Sequence, residues 1–174
     1  MSEPEFELPP ILALHEDHDF AAFDCGNAAR NIWLRARALD NQVAGFSRVF
    51  AAVRDRRVIG FYALSAASIL RSDLPAGLRR NAPDPLPMFL PGQLAVDLAW
   101  QKRALATRLI LDAFQRTTQA AELVGCRFLG VSPASLEIVE FRRKFDFRVV
   151  AGVTPPLMVL PLPMIRALLA AARS

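Results

Sequence analysis

The stretch Leu94–Ala113, LAVDLAWQKRALATRLILDA, decides how the chain is read. It opens as the end of a short apolar run, Gln93–Val96, of the kind that forms a buried strand. From about Lys102 to Val124 the pattern becomes helical: Leu105, Leu109, Ala113 and Ala120 or Ala121 share one face, and Gly125 supplies a stop. Lys102 and Arg103 stand at the joint between strand and helix. The first amides of a helix lack intrahelical acceptors and carry the positive end of its dipole, so a basic joint of this kind suits an anion. Taken alone, Gln101-Lys-Arg-Ala-Leu-Ala106 is equally an ordinary strand-to-helix connection with its cations in water.

Working outward, Asn27–Leu39 has helix-forming composition, with Asn27 as its cap and Ile32, Leu34, Ala36, Leu39 and Trp33 on its apolar side. Arg48–Val53 and Arg57–Leu64 read as two strands around a short Arg-Asp-Arg turn, an antiparallel hairpin. Between Pro75 and Pro91 fall five of the thirteen prolines, which predicts mostly extended loop. Beyond the long helix, Arg127–Val131 reads as a strand, and Ser135 caps a short helix through Lys144 with Phe141 and Phe145 on its buried side. Phe147–Val150 and Leu157–Leu160 close the sheet, and Pro163–Ala172 can form a last helix. The order helix, hairpin, strand, helix, strand, helix, strands implies an α/β (α+β) fold: a mixed, mostly antiparallel sheet with helices on both faces. No repeat or long linker divides the chain, so 1–174 is read as one domain.

Composition sets the outer limits. Of 174 residues, 53% are hydrophobic and 22% charged, enough to bury a core and unlike a disordered chain. No apolar run reaches the ~18 residues of a membrane span, and the acidic start Met-Ser-Glu-Pro-Glu-Phe-Glu is unlike a signal peptide. Two cysteines, Cys25 and Cys126, show no zinc-ligand spacing, so the expectation is a reduced cytoplasmic protein without a metal. The formal charge is +4, and every basic residue except Lys102 and Lys144 is arginine, which suits bidentate contact with phosphate. A codon bias toward alanine, proline and arginine explains that richness equally well. No Ser/His/Asp triad or carboxylate pair is recognisable, and His15 and His18 read as surface residues.

Three strings carry a resemblance: Phe23–Phe50 (FDCGNAARNIWLRARALDNQVAGFSRVF), Val58–Ile69 (VIGFYALSAASI) and Leu78–Asp97 (LRRNAPDPLPMFLPGQLAVD). Over about Leu14 to Leu160 the chain resembles the GNAT superfamily of acetyl-CoA-dependent N-acetyltransferases, and within it the type II toxins that acetylate aminoacyl-tRNA. The resemblance implies the GNAT fold and acetyl-CoA as co-substrate. The acetyl group would pass directly to the amine of an aminoacyl-tRNA. Implied partners are tRNA, a ribbon-helix-helix antitoxin and a second copy of the chain.

Carried over by position, the diphosphate turn falls on Gln101, Lys102, Arg103, Ala104, Leu105 and Ala106, and backbone contacts to the pantetheine arm fall on Leu94 and Val96. Arg30, Arg35, Arg37, Arg79 and Arg80 are candidates for a tRNA phosphate surface, or a scatter of solvated arginines. The chain departs from the family at three places. Gln93 replaces an arginine before the strand, Ala104 replaces a glycine in the turn, and Arg142 stands where a tyrosine protonates the departing thiolate. Arginine donates no proton at neutral pH but can hydrogen-bond to a thiolate. Losing a general acid typically costs ~10²–10⁴-fold in rate, yet a thiolate with thiol pKa near ~8.5 leaves without one. Three readings follow: a tRNA-acetylating enzyme, a weakened or inactive GNAT-fold protein acting in acyl-CoA binding or regulation, and an acetyltransferase with another amine acceptor.

Overall fold

The computed structural model describes residues 7–132, 147–154 and 156–174. Strands β1 (Ile11–Ala13), β2 (Arg48–Arg54), β3 (Arg57–Ile69), β4 (Leu86–Val96), β5 (Phe128–Val131), β6 (Arg148–Val150) and β7 (Leu157–Pro161) form one sheet in the order β1-β2-β3-β4-β5-β7-β6. Neighbours run antiparallel throughout, except β4 beside β5, which are parallel. The helices described are α1 (Ala28–Ala36), α2 (Ala38–Val43), α3 (Ala76–Arg79), α4 (Leu105–Ala121) and α5 (Leu162–Ala172). The short helix expected over Ser135–Lys144, with Phe141, Phe145 and Arg142, lies outside the described residues.

Strand alternation divides the core between two faces. Phe61 and Ala63 of β3 pack with Val49 and Ala51 under α1 and α2, which contribute Leu34 and Ala38. On the other face Tyr62 lies with Leu94 and Val96 against Leu105, Leu109, Ala113 and Phe114 of α4 and Ile165 of α5. A Cβ on Gly60 would stand 3.1 Å from Leu109 and 3.2 Å from Leu105, so α4 rests on bare backbone where it crosses β3. The α4 face follows the expected spacing, although regular helix begins at Leu105 rather than Lys102 and ends at Ala121.

Four local expectations change. The first helix breaks at Arg37, whose φ of −129° separates α1 from α2. Its buried positions are Asn31, Leu34 and Ala38, which leaves Ile32 on the solvent side, 59% exposed. A strand at Ile11–Ala13 was not visible in the sequence, because three half-exposed residues show no periodicity. Its backbone is held by Arg116, which donates to Ile11 O at 3.3 Å.

The largest change is in the proline-rich segment, which is strand rather than loop from Leu86 onward. Arg127 N–H donates to Pro87 O at 2.9 Å, so position 87, and by alternation position 91, faces the β5 edge of β4. Pairing with β5 is confined there to Met88–Phe128 and Phe89–Leu129. A missing N–H is tolerated on an edge where the ladder is so short.

Candidate active site

Past Phe89 and Leu129 the parallel pair separates, while β4 continues along β3 to Val96. The register of β3 and β4 slips by one residue opposite Tyr62, where Gln93 sits at φ +57° as a bulge. Beyond it, Asp97 N–H donates to Ile59 O on β3 at 2.9 Å. Alternation therefore turns the backbone amides of Leu94 and Val96 to the opposite edge, which faces the gap. A main chain with an open edge in a widening gap can pair with an extended ligand as a further strand would.

The turn after β4 leads from this edge to the start of α4. Lys102 (φ +61°) and Ala104 (φ +60°, ψ 8°) both occupy the left-handed region, which costs a residue with a Cβ about 1–2 kcal/mol. Ala104 is the N-cap of α4 and offers no side-chain acceptor, and the first turn contains no acid. The amides that open α4 are thus left to a partner from outside the helix, with the positive dipole end behind them. They border a cleft of about 650 Å³ lined by Val96, Trp100, Gln101, Lys102, Ala104, Leu105, Ala106 and Thr107. An anionic group fits this donor set. Of the residues named from sequence, Leu94 is buried in the strand and Arg103 lies outside the lining; Trp100 and Thr107 join it unforeseen.

Gln101 holds the turn rather than reaching outward. Its Nε2 donates to Val96 O at 3.0 Å and to Cys25 O at 3.2 Å. The corner Asp24–Gly26 before α1 is thereby fastened to the site, and Leu98 N–H adds a bond to Asp24 O at 2.8 Å. Asp97, 6% exposed, accepts from Asp24 N–H (3.2 Å) and Ala99 N–H (3.0 Å), with Arg57 at 3.8 Å. Gly26 completes the joint: its φ is +82°, and a Cβ there would stand 3.3 Å from Leu98. The Asp24 carboxylate accepts from Gly26 N–H (2.9 Å) and Asn31 Nδ2 (2.8 Å), and these bonds hold its pKa below the usual value. No sequence pattern links residues 24–26 to 97–101.

The arginines fall into two groups. Arg30, Arg35 and Arg37 ride on or beside α1, whereas Arg79 and Arg80 end α3, which packs through Leu78 against Ile69 and Leu86. Ile69 lies roughly 26 Å along β3 from Phe61, the α1 contact, at the usual strand rise. Arg35 donates to Phe23 O at 3.0 Å, and Arg79 donates to Leu74 O and Ser72 O. Arg37 and Arg80 are exposed and Arg30 half-exposed.

The chain's one tyrosine, Tyr62, is fully buried and donates to Asp112 Oδ2 at 2.7 Å; burial first, then that carboxylate, pushes its pKa far up. It packs in the core and does not line the cleft. His15 and His18 interact with each other, His15 N–H donating to His18 Nδ1 at 3.1 Å. Among the described residues no His/Cys/Asp/Glu group could hold a metal, and no helix is long and apolar enough to cross a membrane.

No protein-family model matches the chain. The fold is that of AtaT complexed with acetyl-methionyl-tRNAfMet, with a TM-score of 0.82, 25% identity, and 91% of this chain and 98% of that one covered. AtaTR bound with AcCoA is also similar, with a TM-score of 0.78, 25% identity, and 91% and 96% covered. A tRNA-acetylating toxin of Mycobacterium tuberculosis is 42% identical over 142 residues, 82% of this chain and 84% of the relative. Strand order and relatives agree: the sheet is the GNAT fold, and the chain belongs to the family of tRNA-acetylating toxins.

Proposed function

We propose that this protein transfers the acetyl group of acetyl-CoA to the α-amine of an aminoacyl-tRNA. The observation that carries the reading is the 42% identity to a tRNA-acetylating toxin, in a chain whose open β4 edge leads to unpaired helix amides. When bound, acetyl-CoA supplies an activated thioester. The amides opening α4, with Lys102 beside them, take its diphosphate, and the Leu94 and Val96 amides hold the extended arm and orient the carbonyl. The acceptor needs no strong base, because an α-amine of pKa ~7.7–8.0 is partly neutral near pH 7. Orientation in a ternary complex is then the chain's main contribution to rate. Arg142, in place of the family tyrosine, stabilises the departing thiolate by charge rather than by proton donation.

The reading brings partners with it. The α1 arginines meet the phosphates of the tRNA, a ribbon-helix-helix antitoxin covers the basic face, and the protein works in the cytoplasm as a homodimer. The test is transfer of labelled acetyl from acetyl-CoA to bulk charged tRNA, with uncharged tRNA and small amines as controls. Label that appears on charged tRNA only is the expected result. Acetyl-CoA binding without transfer refutes the enzyme, and label on small amines or proteins alone refutes the acceptor.

A further inference from the structure

The corner before α1 is gripped from both sides. Every main-chain polar group of Asp24 and Cys25 is engaged. Asp24 N–H donates to Asp97 Oδ2 (3.2 Å), Asp24 O accepts from Leu98 N–H (2.8 Å), and Cys25 O accepts from Gln101 Nε2 (3.2 Å). These bonds all lead to the turn after β4. On the other side Cys25 N–H donates to Asn31 Oδ1 of α1 at 2.9 Å, and Asn31 Nδ2 donates to Asp24 Oδ1 at 2.8 Å. Asn31 is 8% exposed, so its amide spends both ends on the corner rather than on water. No other side chain of α1 bonds the corner twice; Arg35, a turn further on, reaches Phe23 O.

Elsewhere α1 meets the sheet through apolar contacts, Leu34 among the core residues and Trp33 stacked on Phe61. Apolar burial has no direction, so the Asn31 amide decides where α1 stands relative to the turn. That turn holds a costly shape, with Lys102 and Ala104 both at positive φ. An anion on the amides opening α4 stabilises this shape, and the same shape presents Asp97, Leu98 and Gln101 to the corner. At the far side of the joint, Arg30 precedes Asn31 and Arg37 closes α1. We propose that Asn31 is a positioning residue that couples the two ligands: an occupied donor turn fixes α1 and with it the arginines that meet the acceptor's phosphates. The coupling rests on the transferase reading above and adds a link between its two substrates. Each ligand that orders one side of the joint spares the other that cost, and the effect is reciprocal. CoA and tRNA are both anionic, so direct contact between them would oppose it.

The experiment is filter binding of bulk charged tRNA to the full chain, with and without saturating CoA, which has no acetyl group to transfer. In wild type CoA should tighten tRNA about fivefold, and calorimetry should show tRNA tightening CoA by the same factor. Asn31→Ala should bring the effect below about twofold while CoA alone binds within about twofold of wild type, since the corner keeps its bonds to the turn. That retained affinity also shows the variant to be folded. Asn31→Asp keeps an acceptor for Cys25 N–H but sets a second carboxylate against Asp24; the other charged groups around the corner are Arg35, Asp97 and Arg57. At about pH 8 the two carboxylates repel and the coupling should be absent; at about pH 5 they share a proton, the bond to Asp24 is remade and the coupling should return. Wild type should show one factor at both pH values. Coupling that is missing in wild type, survives in Asn31→Ala, or fails to return in acidified Asn31→Asp overturns the proposal and leaves the two ligands binding independently. A wild-type chain that binds no CoA at millimolar concentration, or no charged tRNA, overturns the transferase reading itself.

Discussion

Ala104 shows how one methyl group shapes the site. In the sequence it stands where the family keeps a glycine, and the structure adds that it is held at φ +60°. Glycine adopts that conformation freely, though it also widens the unfolded ensemble. Ala104→Gly should therefore stabilise the protein by about 0.5–1 kcal/mol in chemical denaturation. It should also tighten acetyl-CoA a few-fold by calorimetry; unchanged affinity would remove the methyl from the argument. His18 offers a second test at this scale. Burial, and then His15, lowers its pKa below 6.5. The unfolded chain accordingly binds the proton more readily. The stability it contributes is complete above about pH 6.5 and is lost as pH falls through the lower folded value. Urea midpoints at pH 8 and pH 5 should differ in that direction. His18→Asn, which keeps an acceptor for His15 N–H, should reduce the difference.

Among the elements, α4 was the most legible and β4 the least. Leu105, Leu109 and Ala113 repeat with a period the helix fixes, so their face could be named in advance. The hairpin was equally plain in type, though β3 runs on to Ile69. Prolines concealed the first half of β4, because a sequence does not show which edge of a strand lacks a partner. The same distinction holds in the site. The turn residues are contiguous and were found together, whereas the joint between Asp24–Gly26 and Asp97–Gln101 depends on contacts more than 70 residues apart, such as Asp24 with Asp97 (73 apart). Gly60 makes the dependence of α4 on the sheet testable. Gly60→Val would push Leu105 and Leu109 outward, at a cost of about 1–3 kcal/mol for overpacking. Because Leu105 opens the helix, acetyl-CoA affinity should fall along with the unfolding midpoint. A loss of stability alone would separate the helix seat from the donor site.

For the whole molecule, charge has to be sorted by what each guanidinium already touches. Arg30 and Arg37 are the α1 arginines with outward reach, while Arg35 and Arg79 each hold backbone carbonyls. Binding of charged tRNA should weaken steeply with salt, and Arg30→Ala/Arg37→Ala should lower affinity and flatten the logarithmic slope by about one to two phosphate contacts. Arg35→Ala and Arg79→Ala should instead shift the unfolding midpoint. Filter binding across a salt series and denaturation curves separate the outcomes, and a slope unchanged in the double variant places the RNA elsewhere. The prolines of β4 have a last consequence at this scale. Pro91, whose ring nitrogen faces β5 just beyond the last paired residues, offers no N–H with which the ladder could continue past Phe89 and Leu129. The fissure is thus built into the covalent chain and needs no visitor to prise it apart.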